Sequence, residues 1–271
     1  MSVAVREPAV SNMFYPGNPE ELKKMLEYFL ELAPLYNVKP EAVISPHAGY
    51  IYSGPTAAYS YKQFLNLDPN KHYKVLLIGP SHFVPFAGIS FGYYDYWETP
   101  LGKVPVDKEE IEKFVQKHPE LPITLNTLPH AREHSLEVQV PFLQMVLKNF
   151  SIIPVVYGQV PYQVVEKVIE DIKDDRDDVV VVISTDLSHY YPYEMARYLD
   201  SNCIQAVENL DLSKMEKCEA CGKTGMEAII DYARKAGWKS SVLDYRTSGD
   251  TAGDKESVVG YLSAIFYKGD E

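Results

Sequence analysis

Three short apolar segments, each followed closely by a histidine, constrain the fold of this chain more than any other feature of its sequence. The segments read AVISPH, VLLIGPSH and VVVVISTDLSH, and they end in His47, His82 and His189. Short apolar runs that stop at Gly, Pro or Ser are typical of buried strands that enter a turn. In open α/β sheets, ligands bind beyond the carboxyl ends of the strands. The three histidines are therefore predicted to converge on one site.

Predicted helices alternate with these strands along the whole chain. A helix is predicted over residues 18–32, where apolar residues recur every three or four positions and Asn18 can cap the first turn. Another is expected from Pro55 onward. A longer amphipathic helix is predicted over residues 127–149, in which Pro141 either kinks the helix or starts a new one. The alternation predicts one domain over residues 1–271, with a three-layer α/β/α architecture and a mostly parallel central sheet.

The charge and the apolar pattern of the chain exclude several classes of protein. The formal net charge is −12, whereas nucleic-acid binding needs a basic footprint. The longest uninterrupted apolar run, at residues 179–183, is far too short to cross a membrane. The N-terminal segment lacks the apolar core of a signal peptide. We therefore expect a cytoplasmic protein that neither binds nucleic acid nor inserts into a membrane.

The strand-end histidines have the chemistry of a transition-metal site. His47 and His82 would place two neutral imidazoles on neighbouring strand ends, and imidazole is the commonest metal ligand in proteins. Asp186 precedes His189 by three residues in STDLSHYY. Its carboxylate could orient that histidine, bind a metal beside it or act with it in acid–base chemistry. Alternatively, Asp186 caps the turn after its strand.

A second histidine motif admits two interpretations. His130, Glu133 and His134 form H-x-x-E-H, the pattern of the inverzincin peptidases, in which two histidines bind zinc and the glutamate acts as base. Pro129 directly before the motif indicates that a helix only begins there. In that case His134 and Glu137, three positions apart on one helix face, would line a pocket from one side.

The three cysteines are expected to matter for chemistry rather than as disulfides. Three cysteines cannot all pair, and a chain of 271 residues does not need disulfide support. Cys218 and Cys221 form C-x-x-C, which is typical of a redox dithiol or of half a zinc site, and Cys203 alone remains outside it. Because Cys221 lies just before a predicted helix, we expect its pKa to be lowered, so that it is available as thiolate. A buried, inert thiol is the alternative.

Five segments together resemble one known family. They are PHAGYIYSG, GPSH, EHSLEVQVPFL, STDLSHY and ACGKTG, and the resemblance runs from NMFYPG to VVGYLSAIFY, over nearly the whole chain. In this order they closely resemble the Memo family, which also supplies the middle part of the AmmeMemoRadiSam proteins. The resemblance implies a fold similar to the LigB-type class III extradiol dioxygenases. Those enzymes hold non-haem iron with two histidines and a glutamate, and another histidine acts as acid and base.

The resemblance also implies roles for individual residues. His47 and His82 match the two histidine ligands, and Cys221 falls where the dioxygenases have their glutamate. Asp186 and His189 fall beside the open coordination positions, with His189 resembling the acid–base histidine. Members of the family are described as copper- or iron-binding redox proteins. A thiolate ligand favours softer metals, so zinc is not excluded.

These observations lead to three hypotheses about function. The first is a metal-dependent redox protein that would act as an oxidoreductase. Its pocket would be further lined by His134, Glu137, Tyr50, Tyr52 and Tyr190. The second is a non-enzymatic module that recognises a peptide or partner protein through an aromatic rim of Tyr50, Tyr52, Tyr190 and Tyr191. The third is a metallohydrolase that uses the H-x-x-E-H motif. A small-molecule or peptide ligand is expected, and the resemblance adds radical-SAM and AMMECR-type proteins as partners.

Overall fold

The apolar segments form strands of one large sheet, and three further strands (β1, β5 and β6 below) form a separate small sheet. In the computed structural model, which describes residues 2–269, the strands are β1 (Val5–Arg6), β2 (Ala42–Ser45), β3 (Tyr73–Pro80), β4 (Ile89–Phe91), β5 (Tyr96–Thr99), β6 (Gly102–Pro105), β7 (Ile123–Thr124), β8 (Phe150–Tyr157), β9 (Val179–Ser184), β10 (His189–Tyr191), β11 (Trp238–Thr247) and β12 (Val258–Lys268). The α-helices are α1 (Pro19–Leu32), α2 (Tyr50–Lys62), α3 (Lys108–Lys117), α4 (Leu128–Ala131), α5 (His134–Glu137), α6 (Val140–Val146), α7 (Tyr162–Ile172), α8 (Tyr193–Asn209) and α9 (Lys223–Ala236).

The large sheet is mixed, with parallel strands at its centre. Its strands follow the order β10–β12–β2–β9–β3–β8–β4–β7, and β11 also pairs with β12. The central strands β2, β9, β3 and β8 are parallel, whereas β12 and β4 join them in the antiparallel sense. The prediction of a mostly parallel sheet is therefore wrong in the outer strands. The loop between β11 and β12 spans residues 248–257, which is too short for the crossover that a parallel pair requires.

The register of the central strands brings three strand ends to the same level. Ser45 at the end of β2 pairs with Ser184 at the end of β9, and Ile78 near the end of β3 pairs with Ile183. These strands are buried along almost their whole length, as expected for parallel strands covered on both faces. The loops that carry the three strand-end histidines therefore leave the sheet at one edge.

The first helix forms as the sequence predicts. The side chain of Asn18 accepts hydrogen bonds from the backbone N–H groups of Glu20 and Glu21, and the apolar stripe is buried. Such a cap contributes about 1 kcal/mol to helix stability. Among residues 2–269, none of the helices combines the length and the apolar character needed to cross a membrane.

The single helix predicted over residues 127–149 is wrong, because the segment divides into α4, α5 and α6. Pro129 and Pro141 each lie in the first turn of a new helix, where the missing N–H costs no hydrogen bond. Between α4 and α5, Glu133 has an extended backbone and its side chain accepts a hydrogen bond from the Ser135 N–H. The alternative in which Pro141 starts a new helix is confirmed.

The expectation that the cysteines form no disulfide is also wrong. Cys203 of α8 and Cys218 are joined by a disulfide, with their Cα atoms 4.8 Å apart. A short 3-10 helix over Leu212–Lys217 follows α8, and this turn returns Cys218 to the helix. No local sequence pattern predicts that Cys218 lies next to Cys203. Among the described residues, Cys221 is left as the free cysteine.

The N-terminal arm is held by a buried ion pair at Glu137. The Glu137 carboxylate accepts hydrogen bonds from Arg6 Nη1 at 2.7 Å, from the Ala9 and Val10 N–H groups and from the Tyr15 hydroxyl. Arg6 and Glu137 are both almost completely buried. Glu137 therefore anchors the arm with a side chain that is 1% exposed, whereas the sequence predicts that it lines a pocket.

We expect Glu137→Ala to lower the free energy of unfolding by about 3–5 kcal/mol, because it leaves the Arg6 guanidinium buried without its counter-charge. Urea unfolding at neutral pH measures this loss. Glu31→Ala is the matched control: Glu31 is an exposed glutamate of α1, and its removal should change the free energy of unfolding by less than about 0.5 kcal/mol. Equal stabilities for the two variants would show that the ion pair does not anchor the arm.

Candidate metal site

Three candidate ligands converge beyond the carboxyl ends of the central strands. His47 follows β2, His82 follows β3, and Cys221 lies just before α9. One ligand atom from each of them lies within 4.8 Å of the other two. The Cys221 sulfur is 3.2 Å from His47 Nε2, and the ring centroids of the two histidines are 5.0 Å apart. The structure thus brings together the three side chains that the sequence marked as ligands.

Hydrogen bonds fix which nitrogen of His47 carries the proton. The Ser184 hydroxyl donates to the Ser135 carbonyl at 2.6 Å and accepts from Gln139 Nε2 at 3.0 Å. Its proton is therefore used, so it accepts from His47 Nδ1, at 2.8 Å. This leaves His47 Nε2 unprotonated and facing Cys221. Burial, followed by the nearby His82, holds the pKa of His47 well below its usual value, so the ring is neutral.

A buried carboxylate next to His82 fixes which nitrogen of that ring donates a hydrogen bond. Glu133 Oε2 lies 2.8 Å from His82 Nδ1, and the other carboxylate oxygen accepts from the His82 backbone N–H. Burial opposes ionisation of Glu133, but the hydrogen bonds from His82 and from the Ser135 N–H hold its pKa at about 2. Because the ionised carboxylate can only accept, Nδ1 carries the proton and Nε2 of His82 is free.

Cys221 is held close to the end of β9 by a glycine contact. A Cβ at Gly222 would come within 2.6 Å of the Thr185 side chain, so only glycine permits the close approach. The Gly222 N–H donates to Thr185 Oγ1 at 2.8 Å, and the Asp186 N–H points at the Cys221 sulfur at 3.3 Å. These contacts fix the position of the sulfur beside His47.

The expected lowering of the Cys221 pKa is wrong for the metal-free protein. Burial raises the pKa of the thiol to about 12, and the nearby Asp186 carboxylate raises it further, against hydrogen bonds from Asp186, Thr185 and Gly222 that lower it. Removal from water therefore outweighs the favourable amides near the start of α9. The group is a thiol whose S–H can donate to His47 Nε2.

His134 adds a third imidazole beside those of His47 and His82. Its ring stacks on His82 with a centroid distance of 4.6 Å and packs against Phe14. The buried Nδ1 atom of His134 has no hydrogen-bond partner among the described residues and lies 3.6 Å from Glu133 Oε2. Burial, then His47 and His82, lower its pKa to about 4, so this ring is also neutral. His82, Glu133 and His134 form a second group of possible ligands.

A cavity of about 600 Å³ opens over these rings, and both predicted acid–base residues face it. His189 and Asp186 line it together with His47 and His134. Asp186 Oδ1 accepts the backbone N–H of His47 at 2.9 Å, and Oδ2 lies 3.7 Å from His47 Nε2. Asp186 thus holds the loop of His47 rather than capping only its own turn. Burial raises the pKa of its carboxyl group.

The aromatic rim differs from the predicted set. Tyr52 and Tyr190 line the cavity, and Tyr190 is 75% exposed with a left-handed backbone, φ 69°. Tyr50 does not line it: this residue is buried, and its hydroxyl donates to the Val138 carbonyl. Tyr191 instead donates to Glu219. The sequence does not predict Phe14 and Tyr261, which do line the cavity; they lie in the NMFYPG and VVGYLSAIFY segments of the family resemblance, which contain no metal-ligand or acid–base motif.

The H-x-x-E-H motif does not form a zinc site of the peptidase type. His130 belongs to α4 and His134 to α5, so the two rings do not follow one another on one helix. His130 is fully buried, with Nε2 donating to the Ser90 carbonyl at 2.8 Å, and burial lowers its pKa to about 3. Within residues 2–269 it belongs to neither group of possible metal ligands.

A second, larger cavity reaches the candidate ligands from another side. It has a volume of about 870 Å³ and is lined by residues 80–87 and 157–160, together with Cys221 and Thr224. His82 lines both cavities, whereas His47 lines the first and Cys221 the second. The three candidate ligands therefore form part of the wall between two open spaces.

Comparison with known proteins identifies the family. The model of the Memo-like protein family matches residues 6–265. A MEMO1 family protein of Aquifex aeolicus is 39% identical, over 97% of this chain and 99% of its own. MEMO1 family proteins of Sulfolobus acidocaldarius and Archaeoglobus fulgidus are each 37% identical over the same shares. The resemblance inferred from the sequence motifs is confirmed, and the chain belongs to the Memo family.

Proposed function

We propose that this protein is a metal-binding redox protein whose metal is held by His47, His82 and Cys221. The observation that supports this most directly is the convergence of one ligand atom from each residue within 4.8 Å. Both imidazoles have Nδ1 committed to a hydrogen bond, so each has an unprotonated Nε2 to offer. The donor set and its hydrogen bonds fit a transition metal.

Copper and iron are the metals proposed from the family resemblance, and the donor set adds zinc as a third candidate. A thiolate and two imidazoles form a softer set than the two histidines and carboxylate of the extradiol dioxygenases. Such a set prefers copper(I) or zinc to iron(II). Binding requires the Cys221 thiol to lose its proton. A bound copper or iron ion would supply one-electron or O₂ chemistry.

Residues around the first cavity are proposed to act as the acid–base group, to hold the His47 loop and to flank the bound ligand. His189 is proposed as the acid–base residue because its imidazole lines the cavity beside Asp186. Asp186 keeps the His47 loop in place through its hydrogen bond to the His47 N–H. Tyr52 and Tyr190 flank the opening and would exclude water from a bound small molecule or peptide. We propose that the ligand binds in this cavity, over the free side of the rings.

The finer description of the fold is part of the same proposal. Helices α1, α2 and α6 pack on one another, and α7 packs on both α3 and α9. Two such groups would cover the two faces of the sheet in a three-layer, LigB-like arrangement. The metal site at the carboxyl ends of the parallel strands agrees with that fold. A cytoplasmic location and radical-SAM and AMMECR-type partners are proposed from the sequence alone.

The first test is the metal content of the purified protein. We expect untagged protein, reconstituted without oxygen with copper(I) or iron(II), to hold one metal ion per chain. His47→Ala should weaken binding by more than the about 10–100-fold that loss of an outer partner costs, because it removes a ligand atom. Elemental analysis after desalting measures the metal that remains.

His72→Ala is the matched control, since His72 is an exposed histidine bonded to Ser151 at another part of the surface, and it should keep the metal. If the wild-type protein takes up neither metal, the proposal is wrong. The cavity would then favour the non-enzymatic module that recognises a peptide or partner protein.

The second test concerns the choice of metal. Cys221→Glu introduces the hard oxygen ligand of the dioxygenases and should move the preference toward iron(II), whereas Cys221→Ala should weaken binding of every metal. Competitive titration with copper(I), zinc and iron(II) measures the order of affinities. Cys218→Ala is the control: it removes the disulfide and should cost about 2–4 kcal/mol in stability, but it should leave the affinities unchanged. An equal loss of affinity in Cys218→Ala would point to a dithiol site instead.

A further inference from the structure

The glutamate of the H-x-x-E-H motif has no part in the proposed ligand set, and yet it makes the closest polar contacts of His82. We propose that Glu133 is the positioning residue of the site: its carboxylate fixes both the tautomer and the ring orientation of His82. It thereby directs the unprotonated Nε2 of His82 toward His47 and Cys221. This inference deepens the proposed function and rests on it for its purpose, but the contacts themselves are independent of any metal.

The tautomer follows from how the carboxylate oxygens are used. One oxygen accepts the backbone N–H of His82. The other, Oε2, accepts from His82 Nδ1 at 2.8 Å and from the Ser135 N–H at 3.0 Å. A carboxylate has no proton to give, so Nδ1 must be the protonated nitrogen of His82. The lone pair of the ring is then on Nε2, which is the atom a metal would bind.

The ring orientation follows from two bonds that come from the same residue. Glu133 holds His82 by its backbone and by its side chain at once, so rotation of the ring would break the second bond. The side chain of His82 is 26% exposed, whereas that of Glu133 is 2% exposed. Without the carboxylate, stacking on His134 would remain to hold the His82 ring, but this hydrogen bond would no longer fix its rotamer.

Glu133 is itself fixed in place. It precedes α5 with an extended backbone and caps that helix through the Ser135 N–H. Its carbonyl oxygen accepts a hydrogen bond from Arg6 Nη2 at 2.8 Å. The carboxylate therefore cannot follow a movement of His82. Glu133 accepts a hydrogen bond from Nδ1 of His82, as the Ser184 hydroxyl does from Nδ1 of His47. The acceptor at His82 is charged, and hydrogen bonds to charged acceptors are stronger.

A different role for Glu133 would be direct metal binding together with His82 and His134, whose ligand atoms also lie close together. The hydrogen bonds argue against it. Both oxygens already accept hydrogen bonds from His82 or Ser135, and the nitrogen of His82 that faces Glu133 is the protonated one. A metal at this position would have to displace these protons, whereas the three-residue group of His47, His82 and Cys221 keeps them.

The decisive measurement is the tautomer of His82 in the metal-free protein. Long-range ¹H–¹⁵N correlation spectra of ¹⁵N-histidine-labelled protein at pH 8 distinguish a proton on Nδ1 from a proton on Nε2. The His82 signals are assigned by their loss in His82→Asn. We expect the wild-type ring to carry its proton on Nδ1. A proton on Nε2 in the wild-type protein would overturn the inference without the need for any variant.

The Glu133→Gln variant tests whether the Glu133 carboxylate determines the tautomer of His82. The Glu133 carboxylate accepts three N–H groups with two oxygens, whereas a glutamine has one acceptor oxygen. If the amide oxygen keeps the His82 backbone N–H, the NH₂ group donates to Nδ1 and the ring should change to the Nε2-protonated tautomer. If the amide oxygen takes the place of Oε2, the hydrogen bond from the His82 backbone N–H is lost instead, and the signal of that amide should shift. Glu137→Gln is the matched control, because Glu137 is a buried glutamate at the other end of α5 but is bonded to Arg6 and not to His82. An unchanged His82 tautomer together with an unchanged His82 backbone amide signal in Glu133→Gln would also overturn the inference.

Zinc titration separates this inference from the proposed function. If both hold, zinc binds the wild-type protein and the Glu137→Gln variant similarly, and Glu133→Gln binds it about 10–100-fold more weakly, as is usual when an outer partner is lost. If the wild-type protein binds neither zinc nor any other metal, the proposed function fails, and the spectra still decide whether Glu133 positions His82. Complete loss of zinc in Glu133→Gln, with the His82 tautomer unchanged, would identify Glu133 as a ligand and refute its positioning role.

Discussion

The parallel register of β2, β9 and β3 is the constraint on which the whole site depends. Because Ser45 pairs with Ser184 and Ile78 with Ile183, the three strands end at the same level. Each following loop then starts from a fixed point at one edge of the sheet. A shift of one residue would turn the side chains of a strand to the opposite face. Core packing of these strands therefore also sets the distances between side chains that lie outside the core.

The positions of the strand-end histidines were predictable because one sequence pattern indicates both a buried strand and the place where ligands bind. An apolar run that stops at a small residue marks both the end of a buried strand and the edge where ligands bind. Nothing in that signal depends on the rest of the chain. The helix over residues 18–32 was predictable for a similar reason, since its cap and its apolar stripe are both local. The direction of the outer strands depends on the connection between β11 and β12, which the alternation of elements does not reveal.

The differences at the site share one physical origin, which is that local sequence patterns carry no information about burial. The pattern predicts Glu137 on a helix face with His134, but at the end of α5 its carboxylate faces Arg6. The pattern predicts Tyr50 before a helix that begins at Pro55, but α2 begins at Tyr50 and buries its ring. The position of Cys221 before α9 predicts a lowered pKa, yet desolvation is the larger effect and raises it. Burial depends on distant segments, so a single sequence does not show it.

The two cavities on either side of the candidate ligands have a consequence for the order in which molecules arrive. His82 borders both spaces, and His47 and Cys221 each border one of them. A molecule in the smaller space can contact His47 and His82, and a molecule in the larger space can contact His82 and Cys221. Because the two linings share His82 alone, filling one space leaves the other open, so steric exclusion imposes no compulsory order of binding. By the same reasoning, a compound that fills a single cavity leaves a second route open, and a complete block requires contact with the three side chains themselves.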